Sequence, residues 1–176
     1  WRILTKLAEL RRVRETSFGL TGQFPDAIGP YRITGTLGEG GMGVVYAGHD
    51  ERLDRPVAIK TVRAENVGPE ARERLKREAR IAASVNHPNI CQLYEIGEDS
   101  SGIYIAMELL EGEALSTRIG RSPLPVPEAL DVARGMLSAL AAMHRRGLIH
   151  RDLKPSNIFI TEHGVKLLDF GLARPA

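Results

Sequence analysis

His150-Arg151-Asp152-Leu153-Lys154-Pro155-Ser156-Asn157 packs a histidine, two cations, a carboxylate and an amide into eight residues. Pro155 has no N–H and fixes its own φ, so no regular helix runs through the middle of the stretch. These side chains therefore sit on an irregular loop, where they can converge on one point. Asp152 has the chemistry to accept a hydroxyl proton or to orient an attacking oxygen. Asn157 offers a hard amide oxygen to Mg²⁺, and Lys154 can neutralise charge on a phosphoryl group in transfer. His150 follows the apolar Ile149 and reads more readily as a packed structural histidine than as a general base.

Downstream, the apolar runs Ile158 to Ile160 and Val165 to Leu168 are joined through His163-Gly164 and read as a hairpin beneath this loop. The second run leads into Asp169-Phe170-Gly171, a carboxylate at a strand end with a glycine two residues on. Beside an amide ligand, that carboxylate completes a hard-oxygen pair suited to Mg²⁺. Standing alone, the same tripeptide is equally an ordinary turn.

Upstream, Pro127 opens a long helix to about Arg146, with Leu130, Ala133, Leu137, Leu140, Ala141 and His144 at helical spacing and Gly147 as its stop. The spacing predicts an apolar stripe suited to face other helices; because only short strands and loops follow it in this sequence, much of that stripe is expected to lie exposed. Glu111 to Gly120 reads as a shorter helix, ended by the breaker cluster Ser122-Pro123-Leu124-Pro125-Val126-Pro127.

Before residue 110 the pattern changes to short β-rich runs: Tyr31 to Leu37, Val44 to Gly48, Val57 to Val62, Gln92 to Ile96 and Ile103 to Glu108. Between the third and fourth, Pro69 to Val85 carries strong helix formers, with Leu75, Ala79 and Ala82 on one face. The expectation is a small lobe of five antiparallel strands and one helix. A second, helical lobe begins after it.

Gly38-Glu39-Gly40-Gly41-Met42-Gly43 places three glycines in a G-x-G-x-x-G pattern, where missing side chains let backbone N–H groups approach phosphate oxygens. A dinucleotide-binding turn would run into a helix here, but Val44-Val45-Tyr46 are β-formers. A P-loop would end in Gly-Lys-Ser/Thr, and Gly43 is followed by Val44. A hairpin flap over a nucleotide survives both exclusions, as does a glycine-rich hairpin that binds nothing. Lys60 closes Val57-Ala58-Ile59-Lys60, and strand alternation puts Ala58 and Lys60 on one face. Glu78, mid-helix, is a carboxylate able to hold that ammonium against a phosphate, although periodicity alone does not derive the pairing.

In their order along the chain, the four motifs resemble the eukaryotic-type Ser/Thr protein kinases, in the form found in bacterial members; the likeness runs from about Tyr31 to Arg174. Lys154 after His150-Arg151-Asp152-Leu153 is typical of the Ser/Thr branch. The resemblance implies an α+β, bilobal, protein-kinase-like fold, with a complete small lobe and the first part of a helical large lobe. It implies transfer of the γ-phosphoryl group of Mg·ATP to protein Ser/Thr hydroxyls; the alternative is a nucleotide-binding pseudokinase or interaction module. Leu37, Gly38, Gly40 and Gly43 would cover the ATP phosphates, and Lys60 would contact them while paired to Glu78. Asp152 would be the base, assisted by Lys154, with Asn157 and Asp169 holding Mg²⁺. Val45, Ala58 and Phe159 would sandwich the adenine, Met107 would lie beside it, and the backbone of Glu108 and Leu110 would bond its edge. Leu93, His150 and Phe170 resemble the stacked regulatory residues, with a small Ala82 in the fourth place.

The implied organisation is an extension over 1–30, a small lobe and hinge over 31–110, and a partial large lobe over 111–176. In the extension, Leu4, Leu7 and Leu10 suggest a short basic amphipathic helix before a linker. A first residue of Trp, and an end shortly after Asp169-Phe170-Gly171, read as a piece of something longer. Transfer to protein substrates is not expected of such a piece alone. The net charge of +2 is spread over interleaved acids and bases, so neither nucleic acid nor an anionic membrane is an expected partner. ATP and a protein substrate are. A single cysteine, Cys91, and no apolar run of membrane-spanning length point to the cytoplasm.

Overall fold

A computed structural model describes residues 24–40, 43–62, 68–99 and 102–168. The basic helix expected near the start, the flap tip Gly41-Met42, and Asp169-Phe170-Gly171 lie outside the described residues. The chain divides into two compact units, one holding the described residues up to 62 together with 95–109, the other holding 68–94 and 110–168.

The first unit is a six-stranded sheet. Its strands are β1 (Ala27–Ile28), β2 (Tyr31–Gly40), β3 (Gly43–Asp50), β4 (Arg55–Val62), β5 (Leu93–Asp99, entering this unit at Glu95) and β6 (Gly102–Glu108), in the order β1-β2-β3-β4-β6-β5. Burial in β2 alternates, with Tyr31, Ile33 and Leu37 inward and Arg32 and Thr34 outward, as a strand with one covered face requires. Val57 and Ile59 of β4 and Ala106 of β6 have no exposed surface.

The two ends of the strand order meet. Tyr31 at the start of β2 stands edge-on to Tyr104 of β6, with ring centroids 6.0 Å apart, and its hydroxyl donates to Glu95 Oε2 at 2.7 Å. The Gly29 N–H donates to Asp99 Oδ2 at 2.8 Å. The sheet therefore curls until its first and last strands touch. Gly29 and Gly97 flank the Tyr104 ring so closely that a Cβ on either would strike it. At the β3–β4 turn, buried Asp50 accepts from the backbone N–H groups of Arg52 and Leu53, an Asx-type turn. Burial alone would raise the Asp50 carboxyl. Hydrogen bonds from the Arg52 side chain and from those two backbone groups outweigh it and hold the carboxyl below its ordinary range.

The second unit holds α1 (Pro69–Ala83), β7 (Glu113–Ala114), α2 (Leu115–Arg121), α3 (Val126–His144), a 3₁₀ turn (Pro155–Asn157), β8 (Ile158–Thr161) and β9 (Gly164–Leu167). Helix α1 starts with Pro in its first turn and ends where Ser84 Oγ donates back to Ile81 O at 2.7 Å. Its buried face is Leu75, Ala79 and Ala82, as the spacing predicts. Helix α3 ends in a Schellman motif: Gly147, at φ 70°, donates to His144 O, and Leu148 donates to Met143 O.

Much of the apolar stripe along α3 lies exposed, as expected where only short strands and loops follow the helix. Leu130 and Leu137 are 51% and 67% exposed. The covered face is Val132, Ala139, Ala142 and Met143, with Gly135 packed against Val165 of β9. Helix α2 begins at Leu115 rather than Glu111, because Glu113–Ala114 pair with Phe159 and Ile160 as β7 of the sheet β7-β8-β9. The loop after α1 joins the same sheet through a parallel bridge between Ile90 and Leu167. Two backbone bonds flank that bridge, Leu167 N to Asn89 O and Cys91 N to Leu167 O.

Candidate nucleotide-binding and catalytic sites

In the first unit, Leu37, Ala47 and Ala58 form a buried apolar cluster, with Val45, Met107 and Leu109 packed on it. The register explains the grouping. Ala58 lies opposite Ala47 on one side and Met107 on the other, and Lys60 lies opposite Val45 and Ile105. Residues two apart on β4 share a face, so half-buried Lys60 extends the apolar patch at its end nearest the flap. The flap is the β2–β3 hairpin, in which Gly38 pairs with Val45 and Gly40 with Gly43. Gly43 has φ 146°, a conformation that side chains strongly disfavour. Glu108, opposite Val57, ends β6. Ala47 and Leu109 were not among the candidates, yet both belong to the patch. Period-two spacing from Val45 would have found Ala47.

In the second unit, Asp152, Lys154 and Asn157 converge. Asp152 Oδ2 accepts from Lys154 Nζ at 2.6 Å and from Asn157 Nδ2 at 3.1 Å, and Asn157 Nδ2 also donates to Asp152 O at 2.8 Å. The backbone gathers them by a tight turn, with Asp152 N donating to His150 O at 2.8 Å and Arg151 held at φ 62°. A non-glycine residue in that region costs about 1–2 kcal/mol and persists only where its surroundings hold it. The 3₁₀ turn that Pro155 starts then presents Asn157, whose N–H donates to Lys154 O at 2.9 Å.

Leu168, the residue before Asp169 in sequence, is held from both sides. Its N–H donates to Asn157 O at 2.8 Å, and its carbonyl accepts from His150 Nε2 at 2.7 Å. A carbonyl can only accept, so that ring nitrogen carries the proton. His150 is 2% exposed, a packed residue that ties the loop to the end of β9.

The remaining candidates are placed individually. Glu78 lines a cavity with Ala82, Met143, Leu148, Ile149 and Arg151, so helix α1 and the segment after α3 share it. Phe159 is buried on β8 opposite Lys166, Leu110 is half-buried, and Leu93 and Ala82 are buried. Lys60 belongs to the first unit and Glu78 to the second. Among the described residues, no helix is long and apolar enough to cross a membrane.

Comparison with known proteins follows the same residues. The chain is 46% identical over 154 residues to a probable serine/threonine-protein kinase of Streptomyces coelicolor, covering 83% of this chain and 23% of that protein. It is 43% identical over 148 residues to the serine/threonine-protein kinase PrkC of Bacillus subtilis, covering 82% of this chain and 23% of PrkC. The chain thus spans about a quarter of the length of these curated relatives. The crystal structure of the Mycobacterium tuberculosis PknI kinase domain superposes with a TM-score of 0.77 at 30% identity, over 86% of this chain and 62% of that one. The profile of the protein kinase domain family matches residues 31–176, and the chain belongs to that family.

Proposed function

We propose that the protein carrying this chain transfers the γ-phosphoryl group of Mg·ATP to Ser or Thr hydroxyls of protein substrates. The observation that supports it most is the convergence of Asp152, Lys154 and Asn157 on a strained, hydrogen-bonded loop. Two donors on Oδ2 fix the plane of the Asp152 carboxylate, which suits a group that must orient an acceptor hydroxyl and take its proton. The Lys154 ammonium, already beside that carboxylate, supplies positive charge where a transferring phosphoryl group needs it.

The donor set fits the cation that the family uses. Asn157 commits its amide nitrogen to Asp152, which leaves the carbonyl oxygen as the end offered to a hard cation; Asp169 would be the second ligand. Bound there, Mg²⁺ would offset charge on the phosphate oxygens. The patch of Leu37, Val45, Ala58 and Met107 would receive the adenine, with the backbone of Glu108 at its edge. Gly38, Gly40 and Gly43 would let the flap approach the phosphates, and Lys60 would contact them. A buried lone cysteine and dependence on Mg·ATP fit a cytoplasmic location for this part of the protein.

The test is Asp152→Asn in the whole protein that carries this chain. Mg·ATP affinity should stay close to wild type, while phosphorylation of a Ser/Thr peptide falls by about 100-fold or more. A variant that keeps near wild-type turnover would remove Asp152 from the role of base. A wild type that binds Mg·ATP but transfers nothing to any protein would favour the nucleotide-binding, non-catalytic alternative.

A further inference from the structure

Ladder pairing between β3 and β4 stops at Val45 opposite Lys60, while β2 and β3 stay paired as far as Gly40 and Gly43. Beyond Val45, the described residues of the flap hairpin therefore show no ladder pair to the rest of the sheet. Thr61 fills that gap. Its hydroxyl accepts from Val44 N at 3.2 Å and donates to Val44 O at 3.1 Å, satisfying both main-chain groups of one flap residue. A hydroxyl can do this because it carries one hydrogen and two lone pairs. Thr61 is itself fixed, since β4 continues there and pairs it with Tyr104 of β6. The contact is close: a Cβ at Gly43 would run into the Thr61 carbonyl oxygen.

We propose that Thr61 is a positioning residue for the nucleotide: it clamps the base of the glycine-rich hairpin to the central strand that carries Lys60, and so sets the flap over the phosphates. The inference rests on the proposed nucleotide-binding reading. It adds a second reason for the third glycine of the motif, which makes room for the Thr61 carbonyl as well as for a phosphate. Thr61 acts through the flap and needs no contact with ATP. Its removal should therefore weaken ligands that carry phosphates and spare those that do not.

The experiment compares wild type, Thr61→Val and Thr61→Ser in the full chain, by calorimetric titration with Mg·ATP and with adenosine. Val keeps the shape and the β-branching while deleting both hydrogen bonds; Ser keeps the hydroxyl. Thr61→Val should weaken Mg·ATP by about 3- to 10-fold, the share of two modest hydrogen bonds that reaches the ligand. Adenosine affinity should stay within about twofold, the scale of a few tenths of a kcal/mol. Thr61→Ser should restore Mg·ATP binding. Thr61→Ala, which also deletes both hydrogen bonds, should reproduce the Thr61→Val pattern and serves if that variant does not fold. Equal loss for both ligands would make Thr61 merely structural, and no loss for either, or no rescue by Ser, would also overturn the proposal. A wild type that binds neither ligand would refute the nucleotide-binding reading itself, and this inference with it.

Discussion

Replacing Gly135 by Ala sets two opposed effects against each other, and the structure decides between them. Gly135 lies in the interior of α3, where Ala is favoured over Gly by about 1 kcal/mol through backbone entropy alone. Against this, the new methyl would overlap Val165 Cγ2 and come within 3.1 Å of Asn89 Nδ2. Val165 is buried in β9 and β-branched, so it has few rotamers into which to retreat. Overpacking of this kind costs about 1–3 kcal/mol, and any shift of β9 also disturbs the 2.9 Å bond from Asn89 Nδ2 to Val165 O. Gly135→Ala should therefore be neutral to destabilising, by about 0–2 kcal/mol. Urea denaturation of wild type, Gly135→Ala, Val165→Ala and the double variant would isolate the clash. The two substitutions should couple by about 1 kcal/mol or more, because Val165→Ala opens the space that the new methyl needs. If Gly135→Ala stabilised the protein by the full helix-propensity gain, with coupling below about 0.3 kcal/mol, the close packing of α3 on β9 would be refuted.

Lys60→Met should weaken Mg·ATP by about tenfold or more while leaving adenosine nearly unchanged, because it removes a cation and keeps the length of the side chain; equal loss for both ligands would show that Lys60 serves the fold instead. At alkaline pH the first unit should lose stability through its tyrosines. Burial, and then hydrogen bonding and charge from Glu95, raise Tyr31 well above its ordinary value; burial, followed by Glu95, also raises Tyr104. A folded-state pKa above the unfolded one means that the stabilisation is complete below about pH 10 and declines as pH rises from there. Denaturant midpoints should fall from pH 9 to 11 and fall less in Tyr31→Phe; identical slopes in the two proteins would rule out Tyr31 as a source.

What could be read along the sequence was local. The alternation in β2 and the Leu75, Ala79, Ala82 face of α1 follow from periods of two and 3.6, and each is buried accordingly. Asp152, Lys154 and Asn157 were legible as a group because their convergence needs only a short loop and one proline. Elements recruited by distant partners were not legible. Ala27–Ile28 and Glu113–Ala114 are strands of two residues, too short for any period, and exist because β2 and β8 offer them hydrogen bonds. Helix α3 is apolar on more than one face. Spacing alone cannot tell the Leu130 and Leu137 stripe from the Val132, Ala139 and Met143 face that meets β9. Thr61 carried no signal at all, since a threonine in a strand is ordinary and its partner Val44 lies 17 residues away.

These distant contacts share a direction, toward the two places where the proposed chemistry needs rigidity. In the first unit, the flap would have only its own hairpin pairing beyond Val45 without the Thr61 hydroxyl. In the second, β9 leads to Leu168, and its last residues are bonded on every side that the backbone offers. Asn89 holds Val165 and Leu167, Cys91 bonds Leu167, and Asn157 and His150 take the two main-chain groups of Leu168. All four of those partners lie on the loop after α1 or on the loop from His150 to Asn157, and His87 of the former is joined to Ser138 of α3 at 3.1 Å. A displacement of β9 must therefore break bonds to Asn157 and His150 together. Asn157 donates to Asp152, so the metal-ligand candidate and the candidate base move as one body with the strand that ends beside Asp169. Catalysis by positioning asks for such rigid linkage, and here it comes from main-chain bonds of Leu167 and Leu168 together with the side chains of Asn89, His150 and Asn157.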